Sequence, residues 1–236
     1  GAQTYSGPIT LTTSATYNSR ILEGGVWSAL QSEDILPGIP ADSTNLVISE
    51  IYYNEPGPNE DNEFIELTNI SGVEINLSNL TFTAGLTYTI PLGTTLASGA
   101  QLVLRPSDYA GNLDNTGETI TLADASGSVI ESVTYNDKHP WPEAPDGDGF
   151  SLVRISPANK LPPNNPTSWR SSTAPGGNPG TTDSTTFPGG DLIDYALQER
   201  IITPSLDGVI VPRNLAADDV IQVLQTSTDL LSWTPL

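Results

Sequence analysis

The sequence predicts an all-β protein whose main body is an antiparallel β-sandwich. Between residues 46 and 156, apolar and β-branched runs of four to eight residues alternate with turns that contain Gly, Pro, Asn or Asp. No apolar period near 3.6 residues occurs there, so amphipathic helices are not expected. The 21 Gly, the 20 Pro and a charged fraction of only 15% are typical of β-structure with many connections. We therefore expect seven to nine strands in roughly 110 residues.

The segment before this body alternates apolar and polar residues and contains a glycine pair. In "GPITLTTSATYNSRILEGGVWSAL" this pattern predicts two or three short strands, with a turn at Gly24-Gly25. So few strands cannot form a core alone. We therefore interpret residues 1–36 as the C-terminal β-hairpins of a preceding fibronectin-like domain, and residues 37–45 as a Pro-containing linker.

The predicted sandwich covers residues 46–180, and six stretches of it occur in a characteristic order. They are "LVISEIYYNEPG", "NEFIELTNISGVEINLSNLTF", "TIPLGTTLASGAQLVL", "LDNTGETITLADASGSVIESVTY", "GDGFSLVRI" and "TSWRSSTAPGGNPG". Over about residues 45–180 they resemble the lamin tail domain, a family found in nuclear lamins and in many exported bacterial proteins. The resemblance implies an immunoglobulin-like β-sandwich of the bacterial exported type.

The remaining chain is interpreted as a linker and an incomplete β-unit. Residues 181–190 are rich in Gly, Ser, Thr and Pro and predict a linker. In residues 191–236 we expect one short helix near 191–199, which Asp191 can cap, followed by a truncated β segment.

The charge balance limits the possible partners. The chain has 8 Lys and Arg against 28 Asp and Glu, a formal net charge of −20. Such a surface repels phosphate backbones, so nucleic acid and anionic membranes are poor partners. No run of about 18 apolar residues is present, so no membrane insertion of this fragment is expected. The favoured partners are cations, basic proteins and neutral glycan surfaces.

Two acidic segments are candidates for binding Ca²⁺, which prefers oxygen ligands. Residues 146–149 read Asp-Gly-Asp-Gly, although Phe150 and Pro157 fall where an EF-hand loop needs oxygen donors. A tight turn that needs both glycines is the alternative, and we favour it. The second segment is "NEPGPNEDNEFIE". If the two segments lie at the same end of the sandwich, the candidate ligands are Glu60, Asp61, Glu63, Asp146 and Asp148.

No catalytic constellation is predicted. His139, the single histidine, lies between Lys138 and Pro140 in a turn-prone segment that we interpret as exposed surface. A nucleophile elbow of the G-x-S-x-G type does not occur. Trp141 could stack on a sugar if it projected outward, but for Trp141 and Trp169 we favour core or bracing roles.

These observations predict a non-catalytic interaction or tethering module, outside the cell or on its surface, in a larger exported bacterial protein. It needs no cofactor, apart from the candidate calcium ion. The alternative is a carbohydrate-binding accessory module of a secreted hydrolase, which calcium could stabilise.

Overall fold

The computed structural model describes residues 4–9, 15–35, 38–58, 60–184, 195–197, 203–205, 208–210, 214–217, 225–226, 231–232 and 234–235. Twenty short strands and two single-turn 3₁₀ helices are present in these ranges. The prediction of an all-β protein is therefore confirmed. Nowhere in these ranges is there a helix whose length and apolar character would allow it to cross a membrane.

The N-terminal part forms a small β-ribbon with little buried surface. Its strands are β1 (Ala15–Ser19), β2 (Leu22–Glu23), β3 (Val26–Trp27) and β4 (Gln31–Ile35). β1 pairs with β4 and β2 pairs with β3, both antiparallel. The predicted hairpins are thus present, with four strands rather than two or three. Their assignment to a preceding domain stays a prediction.

The body contains twelve strands, of which ten lie between residues 46 and 156 rather than the predicted seven to nine. The count is higher because three of these ten are only two residues long. The strands are β5 (Ile39–Pro40), β6 (Leu46–Tyr52), β7 (Phe64–Asn69), β8 (Ile75–Asn76), β9 (Thr81–Ala84), β10 (Tyr88–Thr89), β11 (Thr95–Leu96), β12 (Gln101–Leu104), β13 (Thr119–Ala123), β14 (Val129–Thr134), β15 (Leu152–Arg154) and β16 (Trp169–Ser171).

Two sheets form the layers of the sandwich. One has the strand order β12-β7-β6-β15-β16, the other has the order β10-β9-β13-β14, and both are antiparallel throughout. The short sheet β11-β8-β5 adds one parallel pair, β5 with β8. Apolar side chains of both layers meet in a single buried core that includes Ile48, Ile65, Phe82, Ile120 and Leu152.

A β-bulge changes the side-chain alternation in the central strand. The register between β6 and β7 shifts between Ile48 and Glu50, so Ser49 is an extra residue. Ile48 and Ile51 therefore both point into the core, although they are three positions apart. Ser49 and Glu50 lie together on the outer face of the five-stranded sheet, and both are buried.

The C-terminal part is described only in short pieces. Strands β17 (Thr203–Ser205) and β18 (Gly208–Ile210) pair, as do β19 (Gln225–Thr226) and β20 (Thr234–Pro235). Of the helix predicted near 191–199, residues 195 and 196 are helical. The rest of that prediction lies outside the described residues, apart from residue 197.

Candidate functional site

Three long loops meet at one end of the sandwich, as the strand directions require. β6, β12 and β14 run toward this end, and the strands that follow them, β7, β13 and β15, run away from it. The connecting loops, residues 53–63, 105–118 and 135–150, therefore lie side by side. We call these three loops the acidic end.

The acidic end has a strong excess of negative charge. The three loops contain eleven Asp and Glu residues against two basic residues, Arg105 and Lys138. The loops of the opposite end, residues 41–45, 70–74, 91–100, 124–128 and 155–168, contain three acidic residues and one basic residue. The charge of the sandwich is therefore concentrated on one surface.

Polar contacts join the three loops to each other. Asn54 Nδ2 donates to Asp146 Oδ1 at 2.7 Å, and Asn112 Nδ2 donates to Glu60 Oε2 at 2.8 Å. Arg105 Nη1 donates to the carbonyl oxygen of Asn62 at 3.4 Å. Each loop is thus held by its neighbours through side-chain hydrogen bonds.

Glu63 and Tyr109 are buried beneath these loops. Glu63 is 1% exposed and Tyr109 is 9% exposed, and neither Glu63 Oε1 nor the Tyr109 hydroxyl has a hydrogen-bond partner. Burial raises the pKa of Glu63 to about 8, and the nearby carboxylates of Glu60 and Glu55 add to the increase. Burial also raises the pKa of Tyr109. Both side chains are therefore largely neutral at pH 7.

Further polar groups are buried at the same end. The rings of Tyr53 and Tyr135 lie 4.6 Å apart, and the Tyr135 hydroxyl donates to the carbonyl oxygen of Asp114 at 2.8 Å. The Tyr53 hydroxyl and Asp137 Oδ1 have no partner. Of the seven such buried atoms in the described part of the chain, five lie in the acidic end. Since buried polar groups are normally paired, this end has an unusual polar interior.

A comparison with known families identifies this body. A family model described as Lamin Tail Domain matches residues 40–137. Residues 40–137 are therefore similar to a lamin tail domain. Lamin tail domains are non-enzymatic immunoglobulin-like β-sandwiches that serve as interaction modules. Searches of curated proteins and of solved structures found no match to the chain.

The sandwich continues beyond the matched residues. β15 begins at Leu152 and lies between β6 and β16 in the five-stranded sheet. Trp169 of β16 is buried, its ring centroid lies 6.4 Å from that of Trp141, and its Nε1 donates to the carbonyl oxygen of Pro163. The bracing role predicted for Trp169 is confirmed.

The five predicted calcium ligands occupy different environments in the sandwich. The two segments do lie at the same end, as the hypothesis required, since Asn54 contacts Asp146. However, Glu60 accepts from Asn112, Glu63 is buried, and Asp61 and Asp148 are exposed. Within the ranges that the structure describes, no three acidic or histidine side chains are grouped to hold a metal ion. Calcium binding by Glu60, Asp61, Glu63, Asp146 and Asp148 stays a prediction.

The other predictions for residues 139–149 can be compared with the structure directly. Gly147 and Gly149 have φ values of +81° and +89°, so the prediction of a glycine-dependent turn is confirmed. His139 is exposed, as predicted. Trp141 is buried in the core cluster, so it does not offer a sugar-stacking platform.

Sequence reasoning missed two buried carboxylates on the outer face of the five-stranded sheet. Glu50 accepts hydrogen bonds from the Ser151 hydroxyl and from the Asn178 amide, and Glu66 accepts from the Ser49 hydroxyl and the Gly180 amide. The signal in the sequence was the acidic residue within each of the apolar strands "LVISEIYY" and "EFIELTNI". The acidic segment "NEPGPNEDNEFIE" ends at Glu66, but β7 places Glu66 on this outer face and away from the loop.

Proposed function

We propose that this lamin tail domain is a non-catalytic module that binds a basic protein partner through its acidic end. The proposal rests on one observation: eleven acidic residues and two basic residues lie in three adjacent loops. A surface of one sign attracts a partner of the opposite sign and orients it during encounter. Exposed carboxylates at separate positions fit the Lys and Arg side chains of a partner surface better than one compact ligand.

The contact would be electrostatic, so its strength must depend on salt. The screening length is about 10 Å at 0.1 M and about 3 Å at 1 M ionic strength. Binding of the full chain to an immobilised Lys- and Arg-rich peptide should therefore weaken steeply between these salt concentrations. A peptide of the same length rich in Glu serves as the control and should not bind.

A charge-neutralised variant tests whether the acidic end is the binding surface. Three exposed residues are changed together: Asp61→Asn, Glu143→Gln and Asp148→Asn. Each exposed ion pair contributes about 0.2–1 kcal/mol, so the loss of three should weaken binding about tenfold. A matched variant neutralises three exposed carboxylates elsewhere: Glu23→Gln, Glu33→Gln and Glu74→Gln. Equal losses in the two variants would show that only net charge matters and would contradict the proposal.

We also propose that the module tethers or spaces parts of a larger exported bacterial protein outside the cell or at its surface. The resemblance to exported bacterial lamin tail domains and the excess of acidic residues, which keeps a surface soluble, support this setting. An antibody against the chain should then label intact cells of the source organism. Labelling only after the cells are permeabilised would contradict an extracellular location.

A further inference from the structure

The C-terminal extension of the sandwich lies across the outer face of the five-stranded sheet. We call residues 172–184 the strap. It begins with Ser172, whose amide donates to the carbonyl oxygen of Ser151 at 2.9 Å. Its middle part donates backbone N–H groups to the two buried carboxylates, from Asn178 to Glu50 Oε1 at 3.1 Å and from Gly180 to Glu66 Oε2 at 2.8 Å. The middle of the strap is therefore held by side chains of β6 and β7.

The far end of the strap is fixed by an ion pair. Arg170 of β16 donates from Nη1 to Asp183 Oδ2 at 3.2 Å, and both side chains are buried. Asp183 also accepts from the amide and hydroxyl of Thr173. Beneath the strap, a cavity of about 40 Å³ lies between Ser49, Glu50, Glu66, Thr68, Arg170 and Asp183. A cavity of this size has room for very few water molecules.

The charges around this cavity do not balance. β6 contributes Glu50, β7 contributes Glu66 and the strap contributes Asp183. Two basic residues also line the cavity, Arg170 on β16 and Arg154 on β15, and Arg170 is already paired with Asp183. Arg154 of β15 forms its ion pair with Glu131 of the opposite layer. If Glu50 and Glu66 were both ionised, two negative charges would be buried close together. Both carboxylates accept hydrogen bonds, but neither forms an ion pair with Arg154 or Arg170.

Such a cluster favours a proton on one carboxyl group. Burial is the largest cause that raises the pKa of Glu50, and the negative charges of Glu66 and Asp183 raise this pKa further. Hydrogen bonds from Ser151 and Asn178 lower it, and the resulting pKa is about 7. Burial also raises the pKa of Glu66. Glu50 thus titrates near neutral pH, whereas a solvated glutamate titrates near 4.5.

We propose that the strap is a proton-dependent latch, which closes over the sheet when Glu50 carries a proton and loosens when Glu50 is ionised. In mild acid the neutral carboxyl group accepts from Ser151 and Asn178 without a buried charge. At alkaline pH the ionised group is better solvated when the strap has moved away. Loosening exposes the carboxylates of the outer face, so the sheet would present a second acidic surface only above neutral pH.

Hydrogen exchange of the full chain tests the latch, because it reports local opening. If the carboxyl group titrates at about 7 under the closed strap and at about 4.5 when the strap is open, linkage gives an opening constant that rises about tenfold between pH 6 and pH 8. Protection of the amides at 176–184, corrected for the intrinsic pH dependence of exchange, should fall by that factor. The variant Glu50→Gln should retain its protection at pH 8.

Two further variants distinguish the latch from a general effect of pH. Glu63→Gln changes another buried carboxyl group away from the strap and should leave the tenfold change at 176–184 intact. Glu66→Gln removes the nearest like charge and should reduce the change, which keeps the test valid if Glu50→Gln does not fold. Equal protection of the native strap at pH 6 and pH 8 would overturn the proposal, and so would a full tenfold change in Glu50→Gln.

Discussion

The contact between the strap and the buried carboxylates makes Gly177 a position where alanine should be strongly destabilising. Gly177 has φ +65°, and a Cβ atom there would lie 2.7 Å from Ser151 Oγ and 3.1 Å from Phe64 Cζ, and against Glu50 Oε1. Real Cβ atoms essentially never approach other atoms below 3.0 Å. The strap must therefore move away from the sheet, or the carboxyl group must rotate and lose its hydrogen bonds.

The neighbouring glycine provides a matched control. Gly176 has φ +86°, and a Cβ atom there would have no neighbour within 4 Å. Left-handed backbone costs a non-glycine residue about 1–2 kcal/mol, so Gly176→Ala should lose that amount of unfolding free energy. Gly177→Ala should lose the same amount and, because of overpacking, about 1–3 kcal/mol more.

Thermal unfolding measures the difference between the two variants. For a body of this size, each kcal/mol shifts the midpoint by roughly 2–4 °C, so Gly177→Ala should melt at least about 2 °C below Gly176→Ala. Tryptophan fluorescence reports the transition, since Trp141 and Trp169 are both buried. Equal midpoints would refute this prediction, because they would show that the strap does not pack tightly on Glu50.

Four other predictions concern the extent, charge and ion binding of the sandwich. A fragment of residues 38–137 should fail to give a cooperative transition in circular dichroism, because it lacks β15 and β16, whereas residues 38–184 should unfold cooperatively. Arg154→Met should cost about 3–5 kcal/mol in urea unfolding because it leaves a buried carboxylate unpaired, whereas Lys138→Met, in an exposed position, should cost less than about 1 kcal/mol. The pKa of Glu63 is raised from 4.5 to about 8, so the unfolded chain loses this proton at a lower pH than the folded chain does. The free energy of unfolding should therefore fall as pH rises from 5 through 8, and it should fall less in Glu63→Gln. If calcium binds at the acidic end, 1 mM Ca²⁺ should raise the melting midpoint relative to excess EDTA, and identical midpoints would refute the calcium prediction.

The sequence predicted those features that depend on local patterns. Alternating apolar residues and turn glycines are sufficient to indicate an all-β sandwich, because each strand signals its buried face independently of its partners. The same local logic placed His139 at the surface and made Gly147 and Gly149 turn residues. Trp169 was expected to brace the extension because it follows the last predicted strand, and its burial beside Trp141 agrees.

What could not be predicted depends on contacts between distant residues. The bulge at Ser49 interrupts the alternation, so Glu50 faces outward under a segment that is 128 positions away. Arg154 has the pattern of an ordinary strand residue, but its guanidinium group pairs with Glu131 across the two layers. The grouping of the acidic loops follows from the strand order, which composition alone does not contain.

The path of the chain into and out of the body has a mechanical consequence. Residue 42 precedes β6 at the end opposite the acidic loops, and the strap runs back to that same end, where Gln101 Nε2 donates to Thr182 Oγ1 at 3.3 Å. A tensile load applied through both flanks would therefore peel β5 and the strap away one contact at a time. Once the strap has been removed, the load would act at opposite ends of β6 and β16, because β16 ends beside the acidic loops, and it would then shear the five-stranded sheet. The acidic end would therefore bear the load only after the strap has been removed.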